Sequence, residues 1–166
     1  LITEPVLFDN VIGYVGDDQL KLVKFNLLNV SDNDVAIGYY VTTDGSFGAN
    51  SDYNTTGWIA VSDLKKYKSS VDIRFLGCYR FNKTYISTIN NVSANAEITL
   101  PSNTAFVRLS IRDYSWTKSM FSTTENLPSF YLPYGVKKID KSYFDDFKRQ
   151  KSYVARGDLA ETEKMY

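Results

Sequence analysis

The sequence predicts a mostly β protein: an antiparallel β-sandwich of the jelly-roll type with a C-terminal helical tail or connector. Three observations lead there. The first is LPSNTAFVRLSIRD, Leu100 to Asp113, where a Pro101-Ser102-Asn103 turn is followed by strict alternation. Ala105, Val107, Leu109 and Ile111 share one side of it, and Phe106, Arg108, Ser110 and Arg112 the other. Period-two alternation of this length belongs to a strand with one face on a core. The second is recurrence, since about nine short strand-like segments follow one another at near-regular spacing, as in two-sheet β domains. The third is the lack of a helical period before Gly135 and its appearance afterwards. The limits implied are residues 1–135 for the sandwich and 136–166 for the tail.

Taken in order, Leu1 to Phe8 is a short extended piece that Pro5 confines to a sheet edge. Asn10 to Asp18 is rich in turn formers. Leu20 to Leu28 alternates, with Leu20, Leu22 and either Val23 or Phe25 facing in and a slip or bulge expected near Lys24. Asn29 to Asp34 is a polar turn. Val35 to Thr43 reads as a strand with Val35, Ile37, Tyr39 and Val41 on one face and Tyr40 on the other. Asp44 to Thr56 is the longest loop, built of turn formers and carrying Phe47 and Tyr53 as candidates for recognition. Gly57 to Val61 is a short strand, and Ser62 to Ser70 a basic turn with at most one helical turn. Val71 to Phe81 is a long strand with Val71, Ile73 and Phe75 inward and Asp72 and Arg74 outward. An Asn82-Lys83 turn leads to a strand at Thr84 to Thr88, and Ala94 to Leu100 alternates again. Tyr114 to Ser122 is read as a strand with Tyr114, Trp116 and Lys118 on one face, and Thr123 to Gly135 as irregular extended chain. In the charge-rich tail, Ile139, Tyr143, Phe144 and Phe147 recur at helical spacing behind a plausible Asp140 N-cap. That aromatic stripe makes Tyr143, Phe144 and Phe147 candidates for assembly contacts.

Composition narrows the chemistry. Lysine plus arginine equals aspartate plus glutamate at 19 each. A neutral chain lacks the cationic footprint that nucleic acid or an anionic membrane requires. Histidine is absent, which removes Ser-His-Asp and Cys-His nucleophile systems and histidine metal sites. The single Cys78, in an apolar run, reads as a buried inert thiol. No apolar run approaches the ~20 residues of a membrane span. A start at Leu1 without a signal segment suggests a piece of a longer polypeptide. Asn-x-Ser/Thr sequons at Asn29, Asn54, Asn82 and Asn91 matter only in a eukaryotic secretory route.

Thirteen tyrosines, ten phenylalanines and two tryptophans are a heavy aromatic load, and most serve core and cross-strand packing. Sugar recognition needs a flat ring for the pyranose face and planar hydrogen-bonding groups for hydroxyls. Phe106, Arg108 and Arg112, with Tyr114 and Trp116 just beyond and Tyr53 and Trp58 from the long loop, supply both. The rival role for Arg108 is to bond loop carbonyls, and for Trp116 to fill the core. Carboxylates are plentiful (Asp44, Asp52, Asp72, Glu97, Asp113), but none form a recognisable acid–base pairing, so no enzyme is expected. No cofactor is implied, and no metal beyond a calcium ion in the Asp44 to Asp52 loop, whose spacing departs from the EF-hand pattern. Arg156-Gly157-Asp158 spells an integrin-type tripeptide in a charged tail, where chance accounts for it.

Three blocks carry a resemblance: GYYVTTDGSFGANSDYNTTGWIAV, RFLGCYRFNKTYISTIN and ITLPSNTAFVRLSIRD. Their order and spacing are similar to those of the jelly-roll, carbohydrate-binding-like modules of phage tail and baseplate proteins and of related bacterial surface proteins. ENLPSFYLPYG resembles the exit that closes such modules. The resemblance covers roughly Tyr39 to Gly135. Trp58, Ile59, Tyr85, Phe106 and Arg108 fall on motif positions, which in that family are mostly structural. It implies a virion or bacterial cell-surface location and two classes of role. One is host attachment through bacterial surface polysaccharide. The other is assembly with further virion proteins and copies of the chain itself.

Overall fold

A computed structural model describes the backbone of residues 3–8, 11–16 and 22–139 and the side chains of residues 25–136. The chain divides into two compact units, Leu1–Val23 with Val136–Tyr166, and Lys24–Gly135. In the first, β1 (Thr3–Phe8) and β2 (Val11–Gly16) form an antiparallel hairpin, and β13 (Lys137–Ile139) runs parallel to β1. Together with β3 (Leu22–Lys24) they make a four-stranded sheet in the order β2-β1-β13-β3. The turn expected at Asn10 to Asp18 is thus a strand, because the β-formers Val11, Ile12, Tyr14 and Val15 outweigh Gly13 and Gly16. β1 is an inner strand by sheet order, yet β13 pairs with Val6 and Leu7 and stops short of Pro5. The missing proline N–H therefore falls outside the Val6 and Leu7 pairing with β13. A strand also replaces the helix expected from Val136 over Lys137–Ile139, and Tyr143, Phe144 and Phe147 lie outside the described residues.

The second unit holds two antiparallel sheets. The larger contains β4 (Ala36–Val41), β5 (Phe47–Thr55), β11 (Phe106–Arg112), β8 (Ile73–Tyr79) and β9 (Tyr85–Val92) in that order, with β6 (Ile59–Ala60) also paired to β11. The smaller runs β10 (Ile98–Thr99), β7 (Lys66–Ser69), β12 (Phe121–Thr123). Both contribute to one core: Leu76, Cys78, Val107, Leu109 and Ile111 from the larger sheet meet Tyr67, Ile98 and Phe121 from the smaller. Tyr67 and Phe121 stack with ring centroids 5.3 Å apart. The inward set Val107, Leu109 and Ile111 is the one the alternation predicts.

Elsewhere the alternation misleads. Asp44 to Thr56 is chiefly strand β5, whose Asn, Ser and Thr residues pair as well as turn. Ser62 to Ser70 contains β7, and among the described residues of the Leu20 to Leu28 segment Leu22–Lys24 are strand and irregular chain follows. Asp113–Lys118 is a 3₁₀ turn where a strand was expected, so Tyr114 and Trp116 do not share a strand face. Along β8 the buried parity changes: Ile73 is in the core, but so are Leu76 and Cys78, which places Phe75 on the opposite side.

A bend in the β4–β5 ribbon shapes the outer face of the large sheet. Ile37 pairs with Asn54 but Tyr39 pairs with Ala49, so two steps along β4 span five along β5. Gly38, at φ +81°, makes the bend, and its N–H donates to Asn54 Oδ1 at 3.0 Å. The ribbon tip then folds back over β11, β8 and β9. Val41 N–H donates to Ser110 Oγ at 2.8 Å, Tyr79 Oη to the Gly45 carbonyl at 3.2 Å, and Tyr85 Oη to the Thr43 carbonyl at 2.7 Å. Tyr40 stacks on Phe75 with centroids 5.3 Å apart. Ile37 and Tyr39 consequently point to solvent while Val41 is buried, so they do not form the single face expected.

Candidate functional site

The seven residues proposed for sugar binding do not form one face; the structure distributes them over three places. Arg108 and Trp116 are interior, with only 8% and 6% of their surface exposed. Arg108 sits where the strand beside β11 breaks between β5 and β6. At that break Thr56 Oγ1 accepts the Leu109 N–H at 3.0 Å while Thr56 N–H donates to the Leu109 carbonyl at 3.0 Å. The Thr56 carbonyl is left for Arg108 Nε, which donates to it at 2.9 Å, and Arg108 Nη2 donates to the Asp34 carbonyl. The guanidinium carbon lies 4.7 Å from the Phe47 ring centroid and 4.8 Å from that of Trp58. Burial lowers the Arg108 pKa from its ordinary value, and nearby Tyr79, Asp34 and Asp32 oppose that shift. Trp116 belongs to the hydrophobic core.

Trp58 and Phe106 form the second place. Trp58 meets Tyr79 edge to face at 4.8 Å and Phe106 at 6.1 Å. Lys83 Nζ lies 5.1 Å from the Trp58 ring and 5.5 Å from that of Phe106, and Phe81 stacks on Phe106 while 84% exposed. Trp58 also borders a small cleft of about 190 Å³ with Asn29, Asp32 and Tyr134.

The third place brings Arg112 and Tyr114 together in a shallow cleft of about 320 Å³ at one end of the large sheet. It is lined by Asp72, Arg74 and Asn91 as well, where the start of β8, the end of β9 and the 3₁₀ turn converge. Tyr114 stands at its rim with 85% of its surface exposed. Tyr53, the last of the seven, is buried beside this cleft with the Arg112 guanidinium carbon 4.7 Å over its ring. Arg112 also approaches Asp52 at 3.7 Å, and Arg74 donates to Asn91 Oδ1 while its guanidinium lies 4.7 Å over the Phe75 ring. An Asp72 oxygen accepts the Ala94 N–H at 2.8 Å. Planar donors, an amide and a carboxylate thus surround a space bordered by an exposed ring, the inventory that hydroxyl-rich ligands need.

Asp72, Arg74 and Asn91 are not among the residues the sequence singles out for sugar. The available signal is the outward placement of Asp72 and Arg74 on their strand. Asn91, which the structure holds at a left-handed φ of +53°, has no such signal in the sequence. The Asp44 loop does not gather a cation cage. Hydrogen bonds from the Ser46 and Thr42 hydroxyls and the Ser46 N–H hold the Asp44 carboxyl down to about 2, and Asp52 turns instead toward Arg112. Among the described residues no group of three or more Cys, Asp or Glu side chains is placed to share a metal ion.

Comparison with protein-family models, curated proteins and solved structures finds no match to this chain.

Proposed function

We propose that the chain is a non-catalytic module of a virion, in a phage tail, baseplate or fibre, or of a related bacterial surface protein, and that it binds cell-surface glycan for host attachment. The observation that carries this reading is the cleft in which Arg74, Arg112, Asn91 and Asp72 surround a space beside the exposed ring of Tyr114. An exposed ring beside planar hydrogen-bonding groups offers a flat surface on which a pyranose face can stack. The resemblance of the strand blocks to phage carbohydrate-binding-like modules supports the location. The shared core of two antiparallel sheets supports a sandwich, which we assign to the jelly-roll type. Partners on this reading are bacterial polysaccharide, other virion proteins and further copies of the chain.

The test is an array of bacterial surface polysaccharides probed with the purified chain, alongside Tyr114→Ala and Arg112→Ala. Saturable binding is expected, weakened about tenfold in each variant with an unchanged circular dichroism spectrum. Silence across the array, with self-association at micromolar concentration, would instead favour a purely structural assembly module. The exposed side chains of Leu64 and Phe81 speak for that second reading, since burial against a neighbour would remove both from water.

A further inference from the structure

Resting on the glycan reading above, we propose that the Tyr114 cleft takes an anionic saccharide, its carboxylate or phosphate held between the guanidinium groups of Arg74 and Arg112. Both side chains line the same cleft although they come from different strands, Arg74 near the start of β8 and Arg112 at the end of β11. Each guanidinium lies over an aromatic ring, Arg74 on Phe75 and Arg112 on Tyr53, both at 4.7 Å. A ring contact holds each guanidinium in place without using its N–H groups, and those not already bonded suit carboxylate and phosphate oxygens.

The charges in the cleft are incompletely matched. Among the described residues no carboxylate is in ion-pair contact with Arg74, whose hydrogen bond goes to the neutral Asn91 amide. Arg112 meets Asp52 only at 3.7 Å, with both side chains well exposed, and a pair of that kind is weak. Asp72 is the one acidic residue lining the cleft, and one of its oxygens already accepts the Ala94 N–H. The lining itself thus carries two cations and one anion, with Asp52 weakly paired to Arg112 from outside it. A neutral sugar would use these guanidinium groups as ordinary donors, whereas an acidic one would form charge-assisted bonds with them. Tyr114 would stack on the ring that carries the acid. A volume of about 320 Å³ is at the small end of ligand sites, in keeping with one or two sugar units of a polymer passing through.

The experiment titrates the whole chain, by calorimetry at low and moderate salt, with two matched pairs of polymers. These are polygalacturonate against its methyl ester, and a phosphomannan against the same mannan freed of phosphate. The expected result is at least about tenfold tighter binding of one acidic polymer than of its neutral match, diminishing as salt rises. Whichever pair shows it identifies the acid as carboxylate or phosphate. The preference should vanish in Arg74→Gln/Arg112→Gln and persist in Lys65→Gln, which removes an exposed positive charge from the β6–β7 turn. Equal binding of acidic and neutral forms, or a preference that survives the double substitution or falls equally in Lys65→Gln, overturns the inference. Glycan binding that still depends on Tyr114 would then leave the broader reading standing. No binding to these polymers or to the wider array would remove both.

Discussion

Arg108 is a charged residue used as a main-chain connector. Its guanidinium joins the break between β5 and β6, through the Thr56 carbonyl, to the Asn29–Asp34 turn, through the Asp34 carbonyl, while Phe47 and Trp58 flank it. Lysine at this position keeps the charge but offers one ammonium in place of a fork, so it cannot serve both carbonyls and lie flat between two rings. Arg108→Lys is therefore expected to cost about 3 kcal/mol, chiefly from a buried carbonyl left without a donor. Urea unfolding followed by Trp fluorescence measures it, and a cost under about 1 kcal/mol would show that water reaches these carbonyls. Alternation alone places Arg108 and Arg112 on one exposed face; the structure separates them, because only the region around Arg108 lies beneath the ribbon tip. That covering is a tertiary event without a local signal. Asn26 was equally invisible in the sequence. It is a buried amide that accepts the Leu28 and Phe121 N–H groups and donates to the Leu132 carbonyl, tying three segments together.

At the scale of elements, the folded-back β4–β5 ribbon decides which parts of the large sheet a ligand can reach. Its seat needs Gly77, which lies directly across from Arg108 on β8. A Cβ there would stand 2.9 Å from the Tyr79 ring and 3.0 Å from Val41 Cγ1. Gly77→Val should therefore lift the ribbon, destabilising the unit by about 1–3 kcal/mol. It should also open the Thr42–Ser46 turn to proteolysis, and limited trypsin-free digestion read by mass spectrometry would locate the first cuts. Cuts that begin elsewhere would mean that the sheet yields before the ribbon does. The strands rich in apolar residues, β8 and β11 above all, are readable in outline, although the facing of residues within β8 is not. β5 was not, because its polar residues carry turn propensity and its hydrogen bonds come from pairing with β4 and β11. The 3₁₀ turn at Asp113–Lys118 was missed for a related reason: Tyr114, Trp116 and Lys118 mimic a strand period, although Tyr114 points to solvent and Trp116 to the core.

For the second unit as a whole, a mostly β architecture with one core was legible because apolar periodicity reports burial directly. The binding cleft was only half legible: Arg112 and Tyr114 were identifiable, but Asp72, Arg74 and Asn91 join them through strand ends that meet only in three dimensions. The same core makes the unit sensitive to alkali. Burial pushes the Cys78 thiol up from 9.0 to about 12, against a weaker opposing hydrogen bond with Thr104, and burial likewise raises Tyr67 and Tyr79 above their ordinary value of 10.0. In the unfolded chain these groups lose protons at their ordinary values, while the folded core resists the loss. Groups with a raised folded pKa give stability that is fully present below the unfolded value and is lost as pH climbs through the folded one. From neutral pH upward, stability should therefore be flat to about pH 9 and fall between pH 9 and about 12, with the thiol's share about 3 kcal/mol at pH 11. Urea midpoints at pH 8, 9.5 and 11 test this, and Cys78→Ala should flatten part of the slope while costing some packing at every pH. The native thiol should also stay unreactive toward iodoacetamide at pH 8, as its full burial requires. A flat profile to pH 11, or rapid alkylation at pH 8, would mean that the core between the two sheets opens far more readily than its packing implies.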